Sequence, residues 1–280
     1  AYVGYTRSLL ANEIKPGQFI TQRELVAITG LPRGAIREPV PRLTGTYPEI
    51  EIEDAYRIQE AFIRRRIEAG RRIKCYKVGL TSKPMQLLAG SSEPDFSAMT
   101  DDLFLPEDTP IPRARFLSPM VEMEIAFVMK ERLAGPGVLP VDVLRATDFV
   151  LPAIEIVDFR VARGPGFNII DTVADLAACG AAVLGANPRR LDQIDIRRVR
   201  GVLCKNGEVA QEGEASAVLG NPVTSVAWLA NKLGEFGVVF EPGQTILTGS
   251  FVRMVPIDAG DQIECRFDQG LGNVALSLTA

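Results

Sequence analysis

Three glutamates dominate any chemical reading of this chain. Glu122 and Glu124 lie in Val121-Glu122-Met123-Glu124-Ile125-Ala126-Phe127-Val128. The period-2 alternation predicts a strand with Val121, Met123, Ile125 and Phe127 on one face. The two acids share the other face, roughly 6–7 Å apart along the strand. Glu155 sits inside the apolar run 149–157 (FVLPAIEIV), the pattern of a buried strand. A buried carboxylate is costly unless it is paired or binds a cation. Two arrangements answer that cost. All three acids could share one divalent ion, or Glu155 could pair with an arginine such as Arg160 while the others face solvent. In the first case an all-oxygen ligand set selects a hard ion, Mg²⁺ or Mn²⁺ rather than Zn²⁺.

Composition narrows the chemistry further. The chain has 280 residues and no histidine, which removes every Ser-His, Cys-His and His-metal mechanism. Acid–base work must then fall to carboxylates, lysine, tyrosine or metal-bound water. The four cysteines (Cys75, Cys179, Cys204, Cys265) are scattered with no CxxC, as expected of reduced thiols in a cytoplasmic protein. A formal net charge of −4 argues against nucleic acid as the main partner. No apolar run is long enough to span a bilayer, and no signal-peptide pattern is visible.

The elements that must position the acids follow in order. Residues 1–45 form a helical N-terminal segment, with Thr21 and Glu24 as a capping box and a second helix from about Pro32. The segment resembles the DNA-reading head of GntR-type regulators through KPGQ, T-x-R-E-L and R-x-x-x-R-E. Pro39 and Pro41 would break the recognition helix, and no β-hairpin wing follows. It reads as a remnant or cap, and DNA binding is the alternative from another functional class. Residues 46–280 form the second unit. It begins with an amphipathic helix from Ile52 to near Gly70, whose Arg64-Arg65-Arg66 run is expected on a solvated face. A strand follows over 73–78, and then Pro94-Asp95-Phe96 in a Ser/Gly/Pro-rich loop. Short strands alternate with turns in the second half: an Asn206-Gly207 hairpin, a helix from Pro222 to Phe236, a buried strand over 244–250, and strands at 260–267 and 274–278. The fold class is α+β with a mixed or antiparallel sheet.

The motifs YPEI-x-IEDAY-x-IQ (47–59), KVGLTSK-x-MQ (77–86), EPDF (93–96), P-x-VEMEIAFV (119–128) and LPAIEIVD (151–158) form a set. DTVAD (171–175), VAWLANKL (226–233), ILTGSF-x-R-x-VP (246–256), GD-x-I (260–263) and GLG-x-V (270–274) complete it. Together they resemble the fumarylacetoacetate hydrolase superfamily, in particular its hydratase and decarboxylase branch from meta-cleavage aromatic catabolism. The resemblance runs from about Arg37 to the last residue. It implies a mixed β-sheet roll with a small helical N-terminal segment. It implies Mg²⁺ (or Mn²⁺) on Glu122, Glu124 and Glu155, and Lys77 and Asp95 as the acid–base pair lining the pocket. The cation is expected to ease deprotonation of Lys77 and keep Asp95 ionised. Arg253, with Ser250 in the same turn, is the expected substrate-binding site for a distal carboxylate.

The implied activity is hydration of a 2-hydroxydiene or 2-oxo-ene acid. VAWLANKL and GSF-x-R-x-VP point to 2-oxohept-4-ene-1,7-dioate as the substrate. A 2-hydroxypenta-2,4-dienoate hydratase and a 2-oxo-3-enedioate decarboxylase are the alternatives. The missing histidine and the presence of Asp95 both favour hydration. The expected partners are the small 2-oxo acid and further copies of the chain in a dimer or larger homo-oligomer. Four positions depart from the family pattern. Ser97 stands for glycine, Leu176 for the asparagine of D-N-A, Asn221 for histidine and Asn273 for serine.

Overall fold

The computed structural model describes residues 39–280. The helix-turn-helix-like stretch therefore lies outside the described residues up to Glu38. The rest folds around two sheets. The larger holds β1 (Ile73–Gly79), β2 (Asp95–Thr100), β3 (Phe104–Leu105), β5 (Pro119–Met129), β6 (Thr147–Asp158), β7 (Cys179–Leu184), β10 (Thr245–Leu247) and β11 (Val255–Pro256). Its order is β2-β1-β10-β5-β6-β7-β3, with β11 also pairing β5. The smaller sheet runs β4-β13-β12-β8-β9, from β4 (Ile111–Pro112), β8 (Arg200–Lys205), β9 (Glu208–Glu214), β12 (Gln262–Phe267) and β13 (Gly272–Thr279). The β1–β10, β3–β7 and β4–β13 pairs are parallel and the others antiparallel, so the expected mixed α+β architecture is what forms.

The β5–β6 pair is the centre of the large sheet. Its antiparallel register runs from Pro119 opposite Asp158 to Met129 opposite Thr147. The predicted apolar face is present: Val121, Met123, Ile125 and Phe127 have no exposure. The acid-bearing face is also closed to solvent over much of its length, since Glu124 and Ala126 are fully buried too.

Among the described residues six α-helices border the sheets: α1 (Leu43–Thr46), α2 (Ile52–Glu68), α3 (Lys83–Ala89), α4 (Pro140–Ala146), α5 (Ile169–Ala174) and α6 (Pro222–Gly234). A capping box between Glu51 and Asp54 opens α2. The arginine run on α2 is not wholly solvated as expected. Arg66 turns inward, donating from Nη2 to Asp102 (2.6 Å) and from Nε to the Thr100 hydroxyl (2.8 Å). Asn221, in place of the family histidine, caps α6 by accepting from the Val223 amide. The Asn206-Gly207 turn takes positive φ at both residues, as its hairpin requires.

Residues 40–46 pack into the same body as the strands. Val40 donates to the Arg160 carbonyl and accepts from the Ala162 amide, both at 2.8 Å. Leu43 is buried against Ala55, Val173 and Ala174, and Thr44 donates backbone and hydroxyl hydrogens to the buried Asp171.

Between α5 and β7 the backbone makes a left-handed turn of three residues, Leu176 (φ 57°), Ala177 (φ 50°) and Ala178 (φ 55°). Each side-chain-bearing residue in this conformation costs on the order of 1 kcal/mol or more. That conformation gives the asparagine of the family's D-N-A a physical reason, because asparagine tolerates positive φ better than leucine does. Arg160 clamps both ends of the turn. Its Nε donates to the Asp175 carboxylate and its Nη2 to the Asp175 carbonyl, each at 2.6 Å, while Nη1 donates to the Cys179 carbonyl at 2.9 Å. Arg160→Ala leaves Asp175 buried without these donors. It is expected to lower the unfolding free energy by about 1.5–3 kcal/mol, read from denaturant titration. An unchanged midpoint would mean the turn holds itself.

Candidate active site

Strand parity brings five charged side chains to one face of the large sheet. Glu122 pairs directly with Glu155 across β5–β6. Glu124 is two residues along β5, so it shares that face. Ala126, two further on, pairs with Leu247, and Leu247 pairs with Lys77, which carries the face across β10 to β1. Lys77 pairs with Ser97 on β2, two residues from Asp95. The sequence expectation brought these five together by resemblance, and the registers do so by geometry. One detail differs from the sequence reading. Asp95 opens a fully buried strand rather than sitting in a loop, because Phe96 beside it packs inward and stacks on Tyr56 at 4.6 Å between ring centroids.

The three glutamates each offer an oxygen within 4.8 Å of the others. Lys77 Nζ lies 2.9 Å from Glu155 Oε1, close in distance but without hydrogen-bond alignment. The alternative pairing of Glu155 with Arg160 does not form, since Arg160 is committed to Asp175. Glu124 accepts from the Gly249 amide at 2.8 Å. Two glycines make room: a Cβ on Gly79 would overlap the Asp95 carboxylate, and one on Gly249 (φ 101°) would overlap Thr81. Ser225 on α6 fixes the end of β10 by donating to the Thr248 carbonyl at 2.7 Å.

One lysine faces four carboxylates in a buried setting. Both oxygens of Asp95 and of Glu155, and Oε1 of Glu124, have no hydrogen-bond partner. Burial, then repulsion from Glu155, pushes Glu122 up to about 8. Burial pushes Asp95 up to about 6 even though the Lys77 charge opposes it. Burial and its two glutamate neighbours also raise Glu124. Burial alone would lower Lys77, but Glu155, Asp95 and Glu122 outweigh it and hold the ammonium well above its ordinary range. Without a cation among the carboxylates, Lys77 is thus a proton holder. An ion among the glutamates would offset that pull, in the direction expected from the sequence. The orphaned oxygens, all hard donors in a small space, fit a divalent cation such as Mg²⁺.

This face opens into a cavity of about 990 Å³ lined by Lys77, Asp95, Glu122, Ser250 and Arg253 among others. The Ser250 hydroxyl is already engaged, approaching the Val252 carbonyl at 2.9 Å and the Met123 carbonyl at 3.3 Å. Arg253 is exposed at the cavity and makes no ion pair with a described residue. Sequence reasoning missed the Gly249 amide and the left-handed turn, whose Ala177 and Ala178 also line the cavity. The amide left no trace in residue types, whereas the turn had a faint one in the D-N-A pattern.

Without a bound cation, Asp95 and Glu122 in the folded protein hold protons that the unfolded chain has released near pH 4. Folded protein therefore binds more protons than unfolded protein up to about pH 8, and its stability falls as pH rises across that window. A cation on the glutamates displaces the proton held by Glu122. The gain in melting temperature from Mg²⁺ over EDTA should consequently be larger at pH 8 than at pH 6. Equal gains at the two pH values would count against a cation site at these acids.

The family model described as fumarylacetoacetate (FAA) hydrolase C-terminal matches residues 72–278. A 2-oxo-hept-4-ene-1,7-dioate hydratase of Escherichia coli is 41% identical over 247 residues, covering 82% of this chain and 92% of that protein. A 4-oxalocrotonate decarboxylase of Pseudomonas putida is 37% identical over 236 residues, covering 84% and 89%. The structure of 4-oxalocrotonate decarboxylase from Pseudomonas putida G7, complexed with magnesium and adipate, superposes with a TM-score of 0.83 at 33% identity. It covers 93% of this chain and 99% of its own. The family model spans well over half of the sequence and the relatives cover most of it, and the chain belongs to the fumarylacetoacetate hydrolase family.

Proposed function

We propose that this protein is a magnesium-dependent hydratase that adds water to a 2-oxo-enoic acid, with 2-oxohept-4-ene-1,7-dioate as the substrate. The observation that carries the reading is the acid face itself. Glu122, Glu124 and Glu155 each offer an oxygen within 4.8 Å of the others, and those of Glu124 and Glu155 include oxygens without a hydrogen-bond partner, beside one lysine and one aspartate in an open cavity. Magnesium held there would polarise the substrate's 2-oxo group and offset charge developing on its oxygen.

The remaining work falls to residues of the chain. Moving the double bond into conjugation takes a proton from C3 and returns one at C5. Water then forms a C–O bond at C4 while a proton goes to C3. Asp95, whose value lies near 6, is matched to proton transfer close to neutrality. Lys77 is the partner that holds a proton at Nζ against Glu155 and can give it to substrate or water. Arg253, exposed at the cavity, would receive the carboxylate at the other end of the substrate. Ser250 shapes the wall beside it through its backbone contacts.

A decarboxylase is the second reading, favoured by the similarity to the magnesium- and adipate-bound Pseudomonas putida G7 enzyme. Mass spectrometry of the product separates the two. A hydratase product gains one water and keeps all its carbons, whereas stoichiometric CO₂ would replace the proposal with decarboxylation. Asp95→Asn should slow hydration by about 10²–10⁴-fold with little change in Mg²⁺ affinity. Glu124→Gln should abolish activity and weaken Mg²⁺ binding while the fold survives, because one of several crowded charges is removed. Unchanged calorimetric Mg²⁺ affinity in Glu124→Gln would refute the assigned ligand set.

A further inference from the structure

The cavity holds a second arginine that the proposed reaction does not use. Arg163, on the loop after β6, makes no ion pair with a described residue, and neither does Arg253. The acids bordering the cavity are Asp95 and Glu122 on the sheet face, and the exposed Glu212 on β9.

Arg163 is held in place without an acid. Its guanidinium lies over the Phe159 ring, 4.4 Å from the centroid, and Nη1 approaches Met120 Sδ at 3.5 Å. Phe159 is in turn braced edge-on by Phe167, at 6.0 Å between centroids and 73° between planes. The backbone before Arg163 is fixed as well, because Val40 bonds to both Arg160 and Ala162. Met120 is two residues from Glu122 on β5, so it shares the acid face, roughly 6–7 Å farther along. The guanidinium therefore stands over the same face as the three glutamates, displaced toward the start of β5. Stacking uses the flat side of a guanidinium and leaves its N–H edge free for a carboxylate.

We propose that Arg163 reads the far carboxylate of a dicarboxylic 2-oxo acid whose 2-oxo-carboxylate end lies at the glutamates. This rests on the hydratase reading of that face. It adds a pre-oriented arginine to Arg253, so that the distal carboxylate meets two guanidiniums. The plainer role, covering Phe159, would affect stability without affecting which acid is bound.

The test is calorimetric and needs no turnover. The whole protein with Mg²⁺ is titrated with 2-oxoheptanedioate and with 2-oxopentanoate, saturated probes that differ in the far carboxylate and in chain length. The unaltered protein should prefer the diacid. In Arg163→Gln the ratio of diacid to monoacid affinity should fall by about tenfold to a hundredfold, the range for a charge-assisted hydrogen bond. Arg163→Lys, which keeps the charge but not the fork, should fall between. An unchanged ratio in Arg163→Gln, or equal binding of both probes by the unaltered protein, overturns the role of Arg163 and leaves the hydratase reading standing. Failure of the unaltered protein to bind either probe with Mg²⁺ overturns that reading and the inference with it.

Discussion

Four carboxylates crowd against one ammonium on a buried sheet face, and much of the structure serves to hold them there. Left to themselves the carboxylates would separate, since three of the four are buried with oxygens that have no donor. The opposite face of the same strands supplies the opposing force. Met123, Ile125 and Phe127 are fully buried on it, and each such side chain contributes about 1.5–3 kcal/mol relative to exposure. Alternation thus ties the two faces together. A one-residue slip of β5 would bury the acids in the apolar core and expose the core to the cavity.

The site also depends on backbone geometry at its edges. Gly79 leaves the space into which Asp95 reaches, and Gly249 turns its amide toward Glu124. The left-handed turn 176–178 forms part of the wall, and Arg160 restrains it from both ends. These features lie around the acids rather than among them. Strain of this sort persists when its surroundings over-determine it. Here one arginine makes contacts to the residues immediately before and after the strained trio.

The legible and illegible parts of the sequence divide along physical lines. The strands carrying Glu122, Glu124 and Glu155 could be read because period-2 alternation and apolar runs are local patterns. The helices starting at Ile52 and Pro222 could be read for the same reason. Partner choice could not. Sequence distance favours a pairing of Glu155 with Arg160, yet Glu155 meets Lys77 from β1, and Arg160 meets Asp175. Those pairings are fixed by sheet order, which no local pattern encodes. Pro94 and the preceding serines give Asp95 the local signature of a loop, which hides the six-residue strand it opens. The inward turn of Arg66 has no local signature, because its acceptors, Thr100 and Asp102, lie more than thirty residues away.

A chain without histidine must obtain groups that titrate near neutrality in another way. An exposed aspartate or glutamate is fully ionised there, and an exposed lysine is fully protonated. Burial and like-charge crowding move Asp95 to about 6 and Glu122 to about 8, which brackets the range histidine would otherwise serve. The same crowding that makes the metal-free face unfavourable therefore raises both acids above the ordinary carboxylate range. Of these two acids, Glu122 belongs to the set that fits a cation and Asp95 does not. A cation on the glutamates would offset the charge that raises Lys77, while Asp95 would keep its burial. A trio that could hold a cation stands apart from a neighbouring lysine and aspartate, and on the proposed reading that separation would let one face do both tasks.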